Sequence, residues 1–276
     1  MTREEIEVVA AVRRLVAAEI AAGRGRVIDA ELAARLASGR EPGRTAAAHA
    51  APPAAPAAPP AGPAAPPAGP ASGPDHAARA ARLAALTAEA EACTRCALAT
   101  TRSKVVVGVG RLEPGLMLVG EAPGADEDRV GEPFVGRAGQ LLTRILAAIG
   151  LERGDVYIAN VLKCRPPENR NPLPGEIAAC SPYLAEQIAI VRPRVIAALG
   201  RFAAATLLRT HQTTLSALRG RIHDYQGIPI VVTYHPSALL RYPMYKKPTW
   251  EDMQVIQRLL AGQSAAEALV AASPAS

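Results

Sequence analysis

Aromatic residues are scarce, at 3% of the 276-residue chain: two Phe, one Trp and six Tyr. Each Phe or Trp therefore carries more positional information than usual. Long apolar runs are missing too. No stretch approaches the roughly 18 consecutive apolar residues of a spanning helix, so no membrane partner is expected. The opening residues MTREEIEVVAAVRRL are charged through their first turns and lack a continuous apolar stretch, unlike a secretory signal. A cytoplasmic protein is the expectation. Cysteine is limited to four residues. In a reducing compartment these are better read as metal ligands or core thiols than as disulfides.

Charge of either sign is absent from residues 45–74, TAAAHAAPPAAPAAPPAGPAAPPAGPASGP, which hold ten of the 25 prolines. Such a segment buries too little apolar surface to order itself, and proline biases it towards extended conformations. Residues 41–75 are therefore expected to be a disordered linker. Before it, Val9, Val12, Val16 and Ile20 recur at helical spacing, and Asp29 is placed to cap a second short helix. Residues 1–40 read as a helical appendage, a candidate docking element for a protein partner. The net charge of +6 favours an acidic or phosphate-bearing partner without identifying one.

From 76 to 262 the pattern changes. Four apolar stretches, LMLVGEAP, VYIANVLKC, RVIAALG and IPIVVTYHP, alternate with helical ones. Hydrophobicity within each is continuous rather than alternating, which implies burial on both faces and a parallel sheet. The expectation is an α/β, three-layer α/β/α sandwich with a four-stranded parallel sheet, followed by a flexible tail over 263–276. Right-handed crossovers bring the strand C-termini to one edge, where open α/β sheets bind ligands. Glu121, Asn160 and His235 all fall at that edge.

Cys93 and Cys96 form a C-x-x-C pair; Cys164 lies 68 positions beyond Cys96 and Cys180 a further 16 on. Structural zinc usually takes two close pairs, whereas well-separated ligands suit a cubic [4Fe–4S] cluster. The spacing favours the cluster over zinc. A chance C-x-x-C with two core thiols is the third reading, and the polar setting of Cys164 in KCRPPENRNP speaks against it.

With GEAPGADED, EPFVGRAGQLL, NVLKCRPPENRNP and HPSALLR in this order, residues 90–262 resemble the family 4 uracil-DNA glycosylases, the iron–sulfur type. The resemblance implies excision of uracil from single- or double-stranded DNA, with a structural [4Fe–4S] cluster on Cys93, Cys96, Cys164 and Cys180. It implies that Phe134 stacks on the flipped base and that Asn160 reads its Watson–Crick edge. His235 is then the donor to uracil O2 and Glu121 the carboxylate near the sugar. Ala122 and Gly124 offer backbone N–H groups to the base or a phosphate. Ser237, Leu239, Leu240 and Arg241 form the DNA-insertion loop, with Leu239 or Leu240 as the wedge. Arg165, Arg170, Arg219 and Arg221 are candidate phosphate contacts. Asp126, Glu127 and Asp128 read as a solvated helix start, with Asp128 a candidate support.

Three other readings stand beside this one. A cross-linking uracil-binding relative carries GEQPGD and KRRIH, where this chain has GEAPGA and RGRIH ending at His223. A non-enzymatic nucleic-acid binder would bind without releasing uracil. A polymerase-related fragment is the third, although no polymerase-like carboxylate arrangement is found.

Overall fold

The computed structural model describes residues 74–210 and 214–270. The expected appendage and linker lie outside the described residues, save for the linker's last two positions, which already belong to the first described helix. That helix is α1 (Pro74–Glu91), followed by strands β1 (Val109–Gly110) and β2 (Leu116–Gly120), then α2 (Ala125–Val130) and α3 (Arg137–Ala148). Next come β3 (Tyr157–Asn160), α4 (Pro174–Val191), β4 (Val195–Leu199), α5 (Arg201–Leu208) and α6 (Leu215–Leu218). The chain continues through β5 (Ile222–Tyr225), β6 (Ile228–Thr233), α7 (Pro236–Arg241), α8 (Lys246–Leu260) and α9 (Ala265–Val270).

The strands form one sheet in the order β1-β3-β2-β4-β6-β5. The inner four are parallel, as their continuous apolar sequences imply, and β2, β3 and β4 are buried throughout. Successive side chains point to opposite faces. Met117 and Val119 join one core with Leu86 of α1, Leu184 and Ile188 of α4 and Leu207 of α5. Leu116 and Leu118 join the other with Leu142 and Leu146 of α3 and Ile256 of α8. This is the three-layer sandwich that was expected.

The sheet has six strands rather than four, because an antiparallel strand is added at each edge. β1 is two exposed residues, too short to leave a pattern. β5 is IHDY, polar and only half-buried, and pairs with β6 across a two-residue Gln226–Gly227 turn in which both φ angles are positive. That is the backbone of a type I′ hairpin. A second correction concerns the expected tail. Residues 265–270 form α9, Ala268 is fully buried, and its carbonyl accepts from Arg258 Nε at 2.9 Å.

The strand order sets the location of the site. From β2 the chain moves outward to β3, then crosses back to β4 on the other side. Loops leaving β2 and β4 therefore diverge and open a crevice outside their carboxyl ends.

Candidate active site

That crevice is a cavity of about 560 Å³. Glu121, Ala122, Gly124, Phe134, Asn160, His235, Ser237 and Arg241 all line it, although they are spread over 120 positions of chain. Asn160 ends β3 directly opposite Gly120 on β2. A Cβ on Gly120 would collide with both Asn160 Oδ1 and the Phe134 ring, so glycine is required for the two side chains to occupy that floor. Asn160 is 1% exposed, and its Oδ1 is buried with no hydrogen-bond partner. Burying an unpaired amide oxygen costs roughly 1–3 kcal/mol, and the residue that carries this one lines the crevice.

Phe134 has a left-handed backbone, with φ of +54°. This strained loop is held from two sides. Glu127 Oε1 accepts from the N–H groups of Val135 and Gly136, both at 3.0 Å, while its Oε2 accepts from Gly124 N–H at 3.1 Å. Gly139 lets α3 approach so closely that any Cβ there would strike the Phe134 carbonyl. The Phe134 ring faces the His235 ring, with centroids 5.4 Å apart.

His235 begins α7. Its Nδ1 accepts from Ser237 N–H at 3.2 Å and lies 2.8 Å from Ser237 Oγ. With Nδ1 accepting, the proton of the neutral ring sits on Nε2. The residue keeps some accessible surface, yet burial of the ring, helped by the Arg241 charge, pushes its pKa down to about 4. The imidazole is therefore neutral at pH 7. Gly200, with φ of +91°, lets this ring close in: a Cβ would sit 3.1 Å from His235 Cβ. Burial pushes the Glu121 carboxyl up, opposed by the Arg201 and Arg241 charges.

A profile of the Uracil DNA glycosylase superfamily matches residues 107–255. A type-4 uracil-DNA glycosylase from Archaeoglobus fulgidus is 45% identical over 165 residues, covering 57% of this chain and 83% of that protein. One from Thermotoga maritima is 49% identical over 141 residues, covering 51% and 73%. The chain belongs to the type-4 uracil-DNA glycosylases. A DNA polymerase of Bacillus phage SP01 is 30% identical, but the match spans only 17% of that protein.

The four cysteines of this type-4 family member are all free thiols: Cys164 and Cys180 are buried, Cys93 and Cys96 half-buried. They surround one small cavity to which α1 and α4 also contribute, and none of the four lines the crevice. Arg102 Nη1 and Lys163 N–H donate to the sulfurs of Cys164 and Cys180, each at 3.3 Å. Among the described residues no three His, Cys, Asp or Glu side chains are close enough together to hold a single metal ion. Four thiols around one space, with N–H donors on sulfur, is a donor set that fits a multi-iron cluster.

Several expectations need correction. Leu239 is turned inward at 3% exposure, whereas Leu240 is 39% exposed, so only Leu240 has a side chain free to enter a duplex. The N–H of Gly124 is already bonded to Glu127 and is not open to a base or phosphate. Glu127 and Asp128 are not a solvated helix start: Asp128 is 4% exposed and accepts from Ser103 N–H at 2.9 Å. Arg219 is bound to the buried Asp252 through two hydrogen bonds of 2.8 and 2.9 Å, and Arg170 is paired with Glu176. His223 lies on β5 with Nε2 at 2.7 Å from Leu218 O, outside the crevice. Residues missed from sequence are Glu127, Asn169, Arg201 and Tyr234, all of which line the crevice. Of these, only Glu127 left a signal, standing three residues after the Gly124 cap, where a capping glutamate is favoured.

Proposed function

We propose that this protein hydrolyses the N-glycosidic bond of uracil rotated out of DNA, leaving an abasic site, as an enzyme of base excision repair. The observation that carries this reading is the unpartnered Asn160 Oδ1 in the same crevice as a neutral, Nε2-protonated His235. Uracil presents an N–H at position 3 and a carbonyl at position 4. Asn160 Oδ1 accepts from the former and its amide N–H donates to the latter. Cytosine offers an amino group at position 4, leaving the buried amide mismatched. Phe134 stacks on the pyrimidine face.

Breaking C1′–N1 sends the bonding electrons to uracil, and the charge spreads onto O2. The Nε2–H of His235 donates to that oxygen without first having to lose or gain a proton. The sugar becomes cationic, and the Glu121 carboxylate stabilises it. Water adds at C1′, its proton passes to solvent or to the departing base, and no covalent enzyme adduct forms. Leu240 and Arg241 are the duplex-facing residues of the insertion loop, and Ser237 orients His235. Cys93, Cys96, Cys164 and Cys180 would hold a [4Fe–4S] cluster, which would brace the loop after α1, the KCRPP loop and α4; no reaction step passes through it.

The test is a glycosylase assay on a uracil-containing oligonucleotide, read as alkali-labile abasic sites. Wild type is expected to release free uracil, and His235→Ala to lower kcat by about 10²–10³. Binding without release by wild type would instead mark a non-enzymatic binder, and a covalent adduct surviving denaturing electrophoresis would mark the cross-linking reading.

A further inference from the structure

One feature beside the crevice has no part in the proposed chemistry. Tyr234 lines the crevice wall and stacks on Tyr245, with ring centroids 4.1 Å apart and planes 11° from parallel. Tyr245 in turn meets Tyr242 edge-on at 5.7 Å. The Arg219 guanidinium lies over the Tyr234 ring at 4.5 Å. A guanidinium and a parallel ring at these distances can only occupy opposite faces. Tyr234 is therefore clamped between Tyr245 and an arginine that Asp252 holds in place. The row of three rings leads from the crevice to the surface, where Tyr242 is 53% exposed.

The surroundings of Tyr242 are unusual for a soluble surface. Of the seven large apolar side chains exposed among the described residues, Leu240, Tyr242, Met244 and Trp250 fall within eleven positions of chain. Met244 is 74% exposed. The segment SALLRYPMYKKPTW contains Arg241, Lys246 and Lys247 and no acidic residue. All three cations are exposed, and neither lysine has a side-chain hydrogen bond or ion pair among the described residues. Exposed aromatic faces interleaved with uncommitted cations match the chemistry of unpaired nucleic acid. Its bases supply π-faces and its phosphates supply charge.

We infer that Tyr242 and Met244, with Lys246 and Lys247, form a stacking platform for unpaired nucleotides flanking the uracil on the same DNA strand. This extends the reading of the crevice as a uracil pocket and rests on it. The partner is single-stranded DNA, because the flanking bases of an intact duplex are stacked on their neighbours and have no free face. The clamped Tyr234–Tyr245 pair anchors the platform to the pocket wall, so a strand lying on it is aligned with the base in the crevice.

The test uses the full chain with Tyr242→Ala, Tyr242→Phe and the Lys246→Ala/Lys247→Ala double variant. Exposed positions are chosen so that folding is preserved, which thermal melting verifies. On a uracil-containing single strand, Tyr242→Ala is expected to raise KM about tenfold, the size of one base–aromatic stack, with kcat moving less than twofold. Tyr242→Phe keeps the ring and should restore wild-type KM. The lysine double variant should flatten the salt dependence of binding by up to two charges. On a blunt U·A duplex the Tyr242→Ala effect should be under threefold. Equal KM for Tyr242→Ala and wild type on the single strand, equal losses on single strand and duplex, or failure of Tyr242→Phe to rescue would each overturn the platform. Binding of a uracil-free oligothymidylate, followed by fluorescence of the lone Trp250, reads the platform without catalysis. It stays decisive even if wild type releases no uracil: a tenfold weaker Kd for Tyr242→Ala supports the platform, and an unchanged one refutes it.

Discussion

Asn160 is a buried amide whose carbonyl oxygen has no partner within the protein. That is a stability defect and, in the proposed mechanism, the specificity element. Asn160→Ala is expected to cut uracil release about a hundredfold or more, while differential scanning calorimetry shows a melting temperature that holds or rises, because the orphaned oxygen is gone. His235 makes an opposite demand on pH. Its folded pKa of about 4 lies below the ordinary value of 6.5, so the unfolded chain takes up the proton first. Stability contributed at this site is present above pH 6.5 and is lost as pH falls from 6.5 towards 4. Glu121 shifts the other way: burial raises its pKa, so the carboxylate needed opposite the sugar is lost earlier on acidification than an ordinary glutamate would be. The acid limb of kcat/KM is therefore expected to follow Glu121 first, and Glu121→Gln to remove that limb along with most of the activity. A limb unchanged in Glu121→Gln would exclude this assignment.

The elements determine whether these side chains meet. β2 and β3 place Gly120 opposite Asn160, and the missing Cβ leaves room for both Asn160 and Phe134. Gly120→Ala is expected to displace both, lowering kcat/KM at least tenfold, with a crystal structure or uracil-binding titration showing a narrowed pocket. The α2 N-terminus is joined to the Phe134 loop through Glu127, whose carboxylate takes three backbone N–H groups. Glu127→Gln keeps one acceptor oxygen and is expected to lose less than Glu127→Ala, which frees the loop to leave its left-handed turn. The measurement is KM for uracil-containing DNA in the two variants, and an effect on Tm alone would show that Glu127 merely stabilises α2. The four parallel strands were legible because each is a continuous apolar run buried on both faces. The two edge strands were not, because β5 carries IHDY, which has neither alternation nor continuity, and β1 is two residues long. The helix α9 was missed because a short Ala-rich segment carries no periodic apolar face until α8 is there to cover it.

Across the whole molecule, two groupings of side chains outside the crevice bring distant segments together. In the first, two cysteines from the loop after α1, one from the KCRPP loop and one from α4 meet at a single small cavity. Removing the proposed cluster by chelation after oxidation is expected to abolish the iron–sulfur absorbance and lower the melting temperature by several degrees. Uracil release should fall because the KCRPP loop and the Pro166 to Asn171 wall move together. A colourless protein with bound zinc and full activity would exclude the cluster. The second grouping is the Arg219–Asp252 pair, buried with side chains 14% and 6% exposed. Removing one partner leaves an uncompensated charge. Asp252→Ala is thus expected to cost about 3–5 kcal/mol in denaturant unfolding and to loosen the Tyr234 clamp.

The sequence by itself determined the layers, the inner strands and part of the crevice lining, because these depend on local pattern: apolar continuity, glycine and proline punctuation, and motif order. It also marked Asn160, Phe134, His235 and the four cysteines by motif. Only the tertiary structure decided that Leu239 faces the core while Leu240 faces out, that Gly124 N–H is already bonded, and that Glu127 works on the Phe134 loop. It likewise decided that Arg219 belongs to Asp252 and that three tyrosines form one row. The reason is physical. Which way a side chain turns, and which of several polar groups pairs with which, is set by contacts between segments far apart in the chain, and no local pattern encodes those contacts.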